Sequence, residues 1–287
     1  PMGETLLKRH PAGRGFFPQW GILPQRSEAS RTETRCPLPK MARIRQTFAR
    51  PRIDDVAVEM REQMQVLTPR IRPGMTVGLT VGSRGIQNIL TMLEVAVQAV
   101  RGCGASPVLL AAMGSPGGGT RQGQKDVLDS LGITAERLGA PVITCDLTRP
   151  IGETPGGLVA YMLESSFGVD AIIPVNRVKT HTSFKGCVES GLCKKLVVGL
   201  GGPGGAGQFH SLGQAELARL LVEVTKVILG KMPVLGGVAI VENAYEETAR
   251  IKAIPAEALI EEEIRLLAGS KSLMPALPPN RGTEERR

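Results

Sequence analysis

The sequence predicts an α/β fold with a mostly parallel sheet flanked by helices. Three observations predict it. Short β-branched apolar runs alternate with stretches whose apolar residues recur at helical spacing. Glycine-rich loops follow the strands, where open parallel sheets collect ligands beyond their carboxyl ends. And 42% of the 287 residues are hydrophobic, enough for a sizeable core.

Taken in chain order, Asp54 to Leu67 carries Val56, Val58, Met60, Met64 and Leu67 at helical spacing. Met75 to Val81 reads as the first strand, broken at Gly82-Ser83-Arg84-Gly85, and Ile86 to Val100 resumes a helical pattern. Ser106 to Ala112 is a second strand, Met113 to Thr120 a loop, and Gln124 to Leu131 a helix. Pro141 to Cys145 and Asp170 to Val175 read as the third and fourth strands. Gly237 to Val241 gives a later strand and Pro255 to Leu267 an acidic amphipathic helix. Strands alternating with helices make βαβ units in Rossmann-like layers, and no internal repeat is evident.

The ends read differently. Residues 1–40 lack either periodicity and hold the single Trp, Trp20. They read as an irregular N-terminal extension, with Met41 opening what resembles a natural start. The domain is expected over 41–274, and residues 275–287 read as a tail of Pro, Gly and charge.

Charge supports neither a nucleic-acid nor a membrane partner. The formal charge is +8, from 35 Lys+Arg against 27 Asp+Glu. Residues 1–40 contribute +4 and residues 275–287 contribute +1, which leaves +3 on the body. Aromatics able to stack on bases are only 3% of the chain. Apolar runs such as Val108 to Met113 are too short to span a bilayer. The five cysteines, Cys36, Cys103, Cys145, Cys187 and Cys193, show no CxxC spacing. No signal-peptide layout opens the sequence. A reduced, cytoplasmic protein is expected.

Three segments that follow strands are candidates for anion binding, two of them glycine-rich. In GSRGIQNI (82–89), small residues between strand and helix bring backbone N–H groups toward an anion, and Arg84 adds a planar fork. The segment matches neither a P-loop nor GxGxxG, so a tight turn capped by Ser83 is equally consistent. MGSPGGGT (113–120) is either a phosphate cradle or a flexible loop. Asp146-Leu-Thr-Arg-Pro150 offers Arg149, or is an ordinary loop.

The densest polar chemistry lies in NRVKTHTSFKGCVESGLCKKLVVGLGGPGGAGQFH (176–210). Lys194 and Lys195 sit in an otherwise apolar stretch, and a desolvated lysine loses proton affinity and becomes nucleophilic. His181 has the chemistry of a base and His210 that of a base or a metal ligand. The opposite reading makes both histidines surface residues and both lysines solvated.

These segments resemble the nickel-pincer lactate racemase family, and most of all its branch of isomerases and epimerases of 2-hydroxy acids. The resemblance covers about 41–274 and implies the N-terminal domain of a normally two-domain enzyme. It implies a nickel-pincer nucleotide cofactor, a pyridinium mononucleotide holding nickel through sulfur and carbon, carried covalently by the lysine of SGL-x-K, here Lys194. It implies His210 as nickel ligand and His181, in Lys-Thr-His-Thr, as general acid/base. Arg84 is expected at the substrate carboxylate or cofactor phosphate, and Ser83, Gly114 and Ser115 at the cofactor. Soft donors plus imidazole suit nickel in a square-planar field. The reaction implied is reversible hydride transfer from a small 2-hydroxy acid, with a 2-keto acid formed transiently.

The sequence departs from the family in three ways. The second glycine loop reads GSPGG where the family reads GSHGG, so Pro116 stands in a histidine's place. Thr180 replaces a proline before His181. The family's C-terminal domain has no counterpart in the 287 residues, so a missing second domain or a homo-oligomer is implied to complete the site. The alternative is a truncated, non-catalytic cofactor- or anion-binding homologue.

Overall fold

The computed structural model describes residues 45–276. The expected extension over 1–40 and nearly all of the expected tail lie outside the described residues.

Four parallel strands form the central sheet in the order β3-β2-β1-β6: Thr76–Val81 (β1), Ser106–Ala111 (β2), Val142–Ile143 (β3) and Ala171–Ile173 (β6). Strands Thr148–Glu153 (β4) and Val159–Leu163 (β5) make an antiparallel hairpin. Val175–Arg177 (β7) runs parallel to Gly236–Glu242 (β8), which pairs antiparallel with Thr248–Pro255 (β9). The expected fourth strand is thus two strands, because Pro174 has no N–H for the ladder. Hydrogen bonds run on across the break. Ile172 N–H donates to Pro233, Val238 N–H to Pro174, and Val175 N–H to the Thr80 hydroxyl, at 2.8, 2.8 and 3.0 Å.

Period-two alternation divides the strands between two cores. Leu79, Leu109, Ile173 and Ile240 face the side covered by helices Val56–Met64 (α1) and Ile89–Gly102 (α2). Leu110, Ile172 and Val241 face the side covered by Leu217–Lys231 (α7) and Leu259–Leu273 (α8). Burial on both faces explains why the strands read as continuous apolar runs. No helix of the described residues is long and apolar enough to cross a membrane.

Local chemistry sets the boundaries. Asp55 caps α1 by accepting from Val58 N–H. Thr120 caps Arg121–Ser130 (α3), which therefore begins three residues before the expected helix. Thr134 caps the one-turn Ala135–Leu138 (α4). Helix α2 starts three residues late, because Gln87 N–H is taken by the Glu242 carboxylate at 2.8 Å and Asn88 is left-handed (φ 59°). Five features have no counterpart among the elements expected from the sequence: α4, the hairpin, α7, β9, and the conformation of 192–210. That last segment runs from one turn, Leu192–Lys194 (α5), into a π-helix at Lys195–Leu200, then Gly202–His210 (α6). Gly201 N–H reaches back five residues to Leu196 at 3.1 Å.

That junction needs glycine, since a Cβ on Gly201 would lie 1.9 Å from the Val197 carbonyl oxygen. On Gly207, in the following helix, it meets nothing within 4 Å. Gly201→Ala is expected to lower unfolding free energy by about 2–4 kcal/mol. Gly207→Ala is expected to be neutral or to stabilise by about 0.5–1 kcal/mol. Urea denaturation checks the pair; equal midpoints would contradict the close approach.

Candidate functional site

The carboxyl ends of β1, β2 and β7 open on one edge, and the loops after them surround a cleft of about 360 Å³. Ser83 and Arg84 come from the loop after β1, and Ser115 and Pro116 from the loop after β2. His181 follows β7, while Lys194, Lys195 and His210 come from the α5-to-α6 segment. The titratable lining is Arg84, His181, Lys194, Lys195 and His210, with no Asp or Glu among it.

Two contacts, one part-buried and one buried, fix α5. The Asn176 side-chain amide donates to the Gly191 carbonyl at 2.7 Å. Glu263, on α8, accepts from Cys193 N–H at 2.8 Å, and burial pushes its carboxyl up to about 7. Lys194 then projects into the cleft with Nζ 2.6 Å from His181 Nε2 and 5.4 Å from the Phe209 ring centre. Burial, reinforced by the charges of Arg84 and Lys179, lowers its amine to about 8.

His181 is held from below. Its backbone N–H donates to Glu189 Oε2 at 2.7 Å, and Lys271 donates to Glu189 Oε1 at 2.8 Å. Burial alone would raise the Glu189 pKa; hydrogen bonds from Lys271, His181 and Gly186 outweigh it and hold the group ionised. Burial and then Lys194 lower the His181 pKa. Ser183 N–H donates to Nδ1 at 3.1 Å, so a neutral ring carries its proton on Nε2. The short Nε2···Nζ contact is then a bond donated to the Lys194 amine once that amine has lost its proton, above about pH 8. His181, Phe184, Phe209 and His210 form a continuous row of rings at centre separations of 4.4, 5.9 and 5.4 Å.

Lys195 lies deeper. It is 7% exposed, with Nζ 3.2 Å from the Ala112 carbonyl at the end of β2. Burial lowers its amine to about 8. The reading that both lysines are solvated is therefore corrected: the π-helical run buries one and half-buries the other.

The other candidates lie behind the lining, at its rim or outside the cleft. Gly114 (φ 69°) packs behind the lining, where a Cβ would meet the Val198 carbonyl at 3.1 Å. His210 is exposed at the end of α6. Arg149 is outside the cleft, over the Phe167 ring at 3.9 Å and beside Glu164 at 3.6 Å, and Asp146 pairs with Arg121 at 2.9 Å. Among the described residues, no group of three or more His, Cys, Asp or Glu could hold a metal. Sequence reasoning passed over Asn176 and Glu263. Glu263 had a signal: it occupies the buried stripe of Leu259, Leu266 and Leu267.

No protein-family model matches the chain, and no curated protein matches it. Among solved structures its fold is similar to the lactate racemase apoprotein from Thermoanaerobacterium thermosaccharolyticum, with TM-score 0.59 and 11% identity. The match covers 77% of this chain and 57% of that one. A likeness at that identity concerns the fold alone.

Two measurements test the site. Acylation of Lys194 should rise with pH through about 8, whereas a lysine in an unstructured reference peptide follows a value near 10.4. Peptide mass spectrometry reads this, and equal labelling of both at about pH 8 would contradict a lowered Lys194. The second concerns Lys195, whose folded pKa lies below its unfolded value. The unfolded chain then binds more protons between them, and the penalty is complete below about 8 and gone near 10.5. Lys195→Met is expected to stabilise near neutral pH by about 2–3 kcal/mol, a gain that shrinks as pH rises through this window.

Proposed function

We propose that the chain is a nickel-pincer-nucleotide-dependent racemase or epimerase of a small 2-hydroxy acid, with the cofactor carried covalently by Lys194. One observation carries the reading. An acid-free cleft gathers Ser83, Arg84, Ser115, His181, Lys194 and His210, to which the sequence resemblance assigns roles, from separate segments of the chain. The fold likeness to a lactate racemase apoprotein supports the reading at the level of architecture.

The residues fit such a group. Lys194 offers an amine that gives up its proton near pH 8, well below an ordinary lysine, for a covalent link. Arg84 and the serines offer donors to phosphate or carboxylate oxygens. His210 offers a single imidazole, which suits a metal whose other donors arrive with the cofactor. When bound, the nickel-pincer nucleotide supplies a reversible hydride acceptor.

The chain's own residues then handle charge and protons. Arg84 holds the substrate carboxylate. His181, whose proton affinity burial lowers, accepts the hydroxyl proton and returns it. Glu189 keeps its loop in place through the His181 N–H. A second domain or a second copy of the chain closes the cleft and excludes water.

A second reading is favoured by Pro116, which lines the cleft where the family pattern has a histidine. It is a homologue that binds cofactor or anion without stereochemical turnover.

Co-expression with the cofactor-making proteins, followed by intact-mass analysis, separates the possibilities. The wild type is expected to carry an adduct that Lys194→Ala lacks. His181→Ala is expected to keep the adduct while lowering lactate racemisation by about 100-fold or more. An adduct that survives Lys194→Ala sinks the attachment. An adduct without turnover, with turnover appearing in Pro116→His, selects the second reading.

A further inference from the structure

Lys195 is not used by that chemistry, and its placement is costly. It is 7% exposed, and no carboxylate among the described residues pairs with it. Of its three possible donors one meets the Ala112 carbonyl, and the side chain borders the cleft. The backbone is shaped around it: a Cβ on Gly82 would fall 2.3 Å from Nζ, with no other atom nearer than 3.7 Å. A lone buried ammonium costs several kcal/mol of desolvation, so it either gives up its proton or is compensated by an anion. The neighbouring charges make that anion a ligand, since Arg84, Lys194, His181 and His210 are all cationic or neutral.

We propose that Lys195 is the floor of an oxyanion subsite that takes a carboxylate or a phosphate monoester, with Ser83 and Ser115 as flanking hydroxyl donors. Above about pH 8 the subsite binds by taking up a proton, because burial lowers the amine of the empty cleft to about 8 and the bound anion favours the ammonium. Anion affinity therefore falls as pH rises from about 7 to about 10. The inference rests on this cleft being the functional site, but not on the identity of the cofactor or on attachment at Lys194.

The test is isothermal titration of the full chain, purified without the cofactor-making proteins, with inorganic phosphate and separately with acetate. The wild type is expected to bind at least one of them, more weakly at higher pH. Lys195→Met, which loses the charge but keeps the volume, is expected to lose about tenfold or more in affinity, and with it most of the pH dependence. Lys226→Met, at an exposed position, is expected to match the wild type. Loss confined to acetate assigns the subsite to the substrate carboxylate, and loss confined to phosphate assigns it to a phosphate ester. Gly82→Ala gives a second route, because the added methyl displaces the ammonium while every charge is kept; it too is expected to weaken binding. Unchanged affinity in a folded Lys195→Met, or in Gly82→Ala if the first variant does not fold, overturns the proposal. So does the absence of binding of either probe to the wild type at about 100 mM, a Kd equivalent to little over 1 kcal/mol. Failure to find a Lys194 adduct leaves these outcomes untouched.

Discussion

The site depends on one contact, the π-helical run laid directly against the end of β2. The Ala112 carbonyl accepts from Lys195, and a Cβ on Gly199 would come within 2.8 Å of the same oxygen. On the other side of the same junction, Gly114 approaches the Val198 carbonyl. With no side chain between them, helix and strand end share one surface, and the two lysines at the start of the run have nowhere to go but the cleft. A π-helix widens the turn and shifts the register of α6, which brings His210 to the same opening.

Charge is sorted by depth around that contact. The lining holds five groups that are cationic or can become so, and the acids lie behind it. Glu189 sits under the His181 loop, Glu263 under the start of α5, and Glu242 beside Arg177 and the loop after β1. Each accepts backbone N–H groups, so the acids act on geometry, while the field in the cleft stays positive. That arrangement lowers the Lys194 and His181 pKa values together, since burial and neighbouring cations both disfavour protonation. The result is an amine that loses its proton near pH 8 in contact with an imidazole of lowered proton affinity.

Much of the fold is legible in the sequence where local physics decides. The alternation of apolar runs names β1, β2 and α2 within a few residues, because strands buried on both faces must be apolar along their length. Glycine-rich loops after strands mark the edge where the cleft lies. Errors come where a partner distant in sequence intervenes. Helix α2 starts late because Glu242, 155 residues away, takes the Gln87 N–H. The Asp170–Val175 strand is divided at Pro174 and completed by Thr80. Glu263 reads as one more acid on an acidic helix until α5 packs on it.

By itself the sequence determined the α/β class, the glycine loops, and the pairing of a lysine with two histidines in one segment. Those properties are written in residue type and short-range spacing. Only the tertiary structure decided that Lys195 is buried and Lys194 half-buried, that Arg84 faces the same cleft, and that no acid does. Desolvation and cleft electrostatics are sums over groups the fold gathers from distant parts of the chain. No window of sequence contains them.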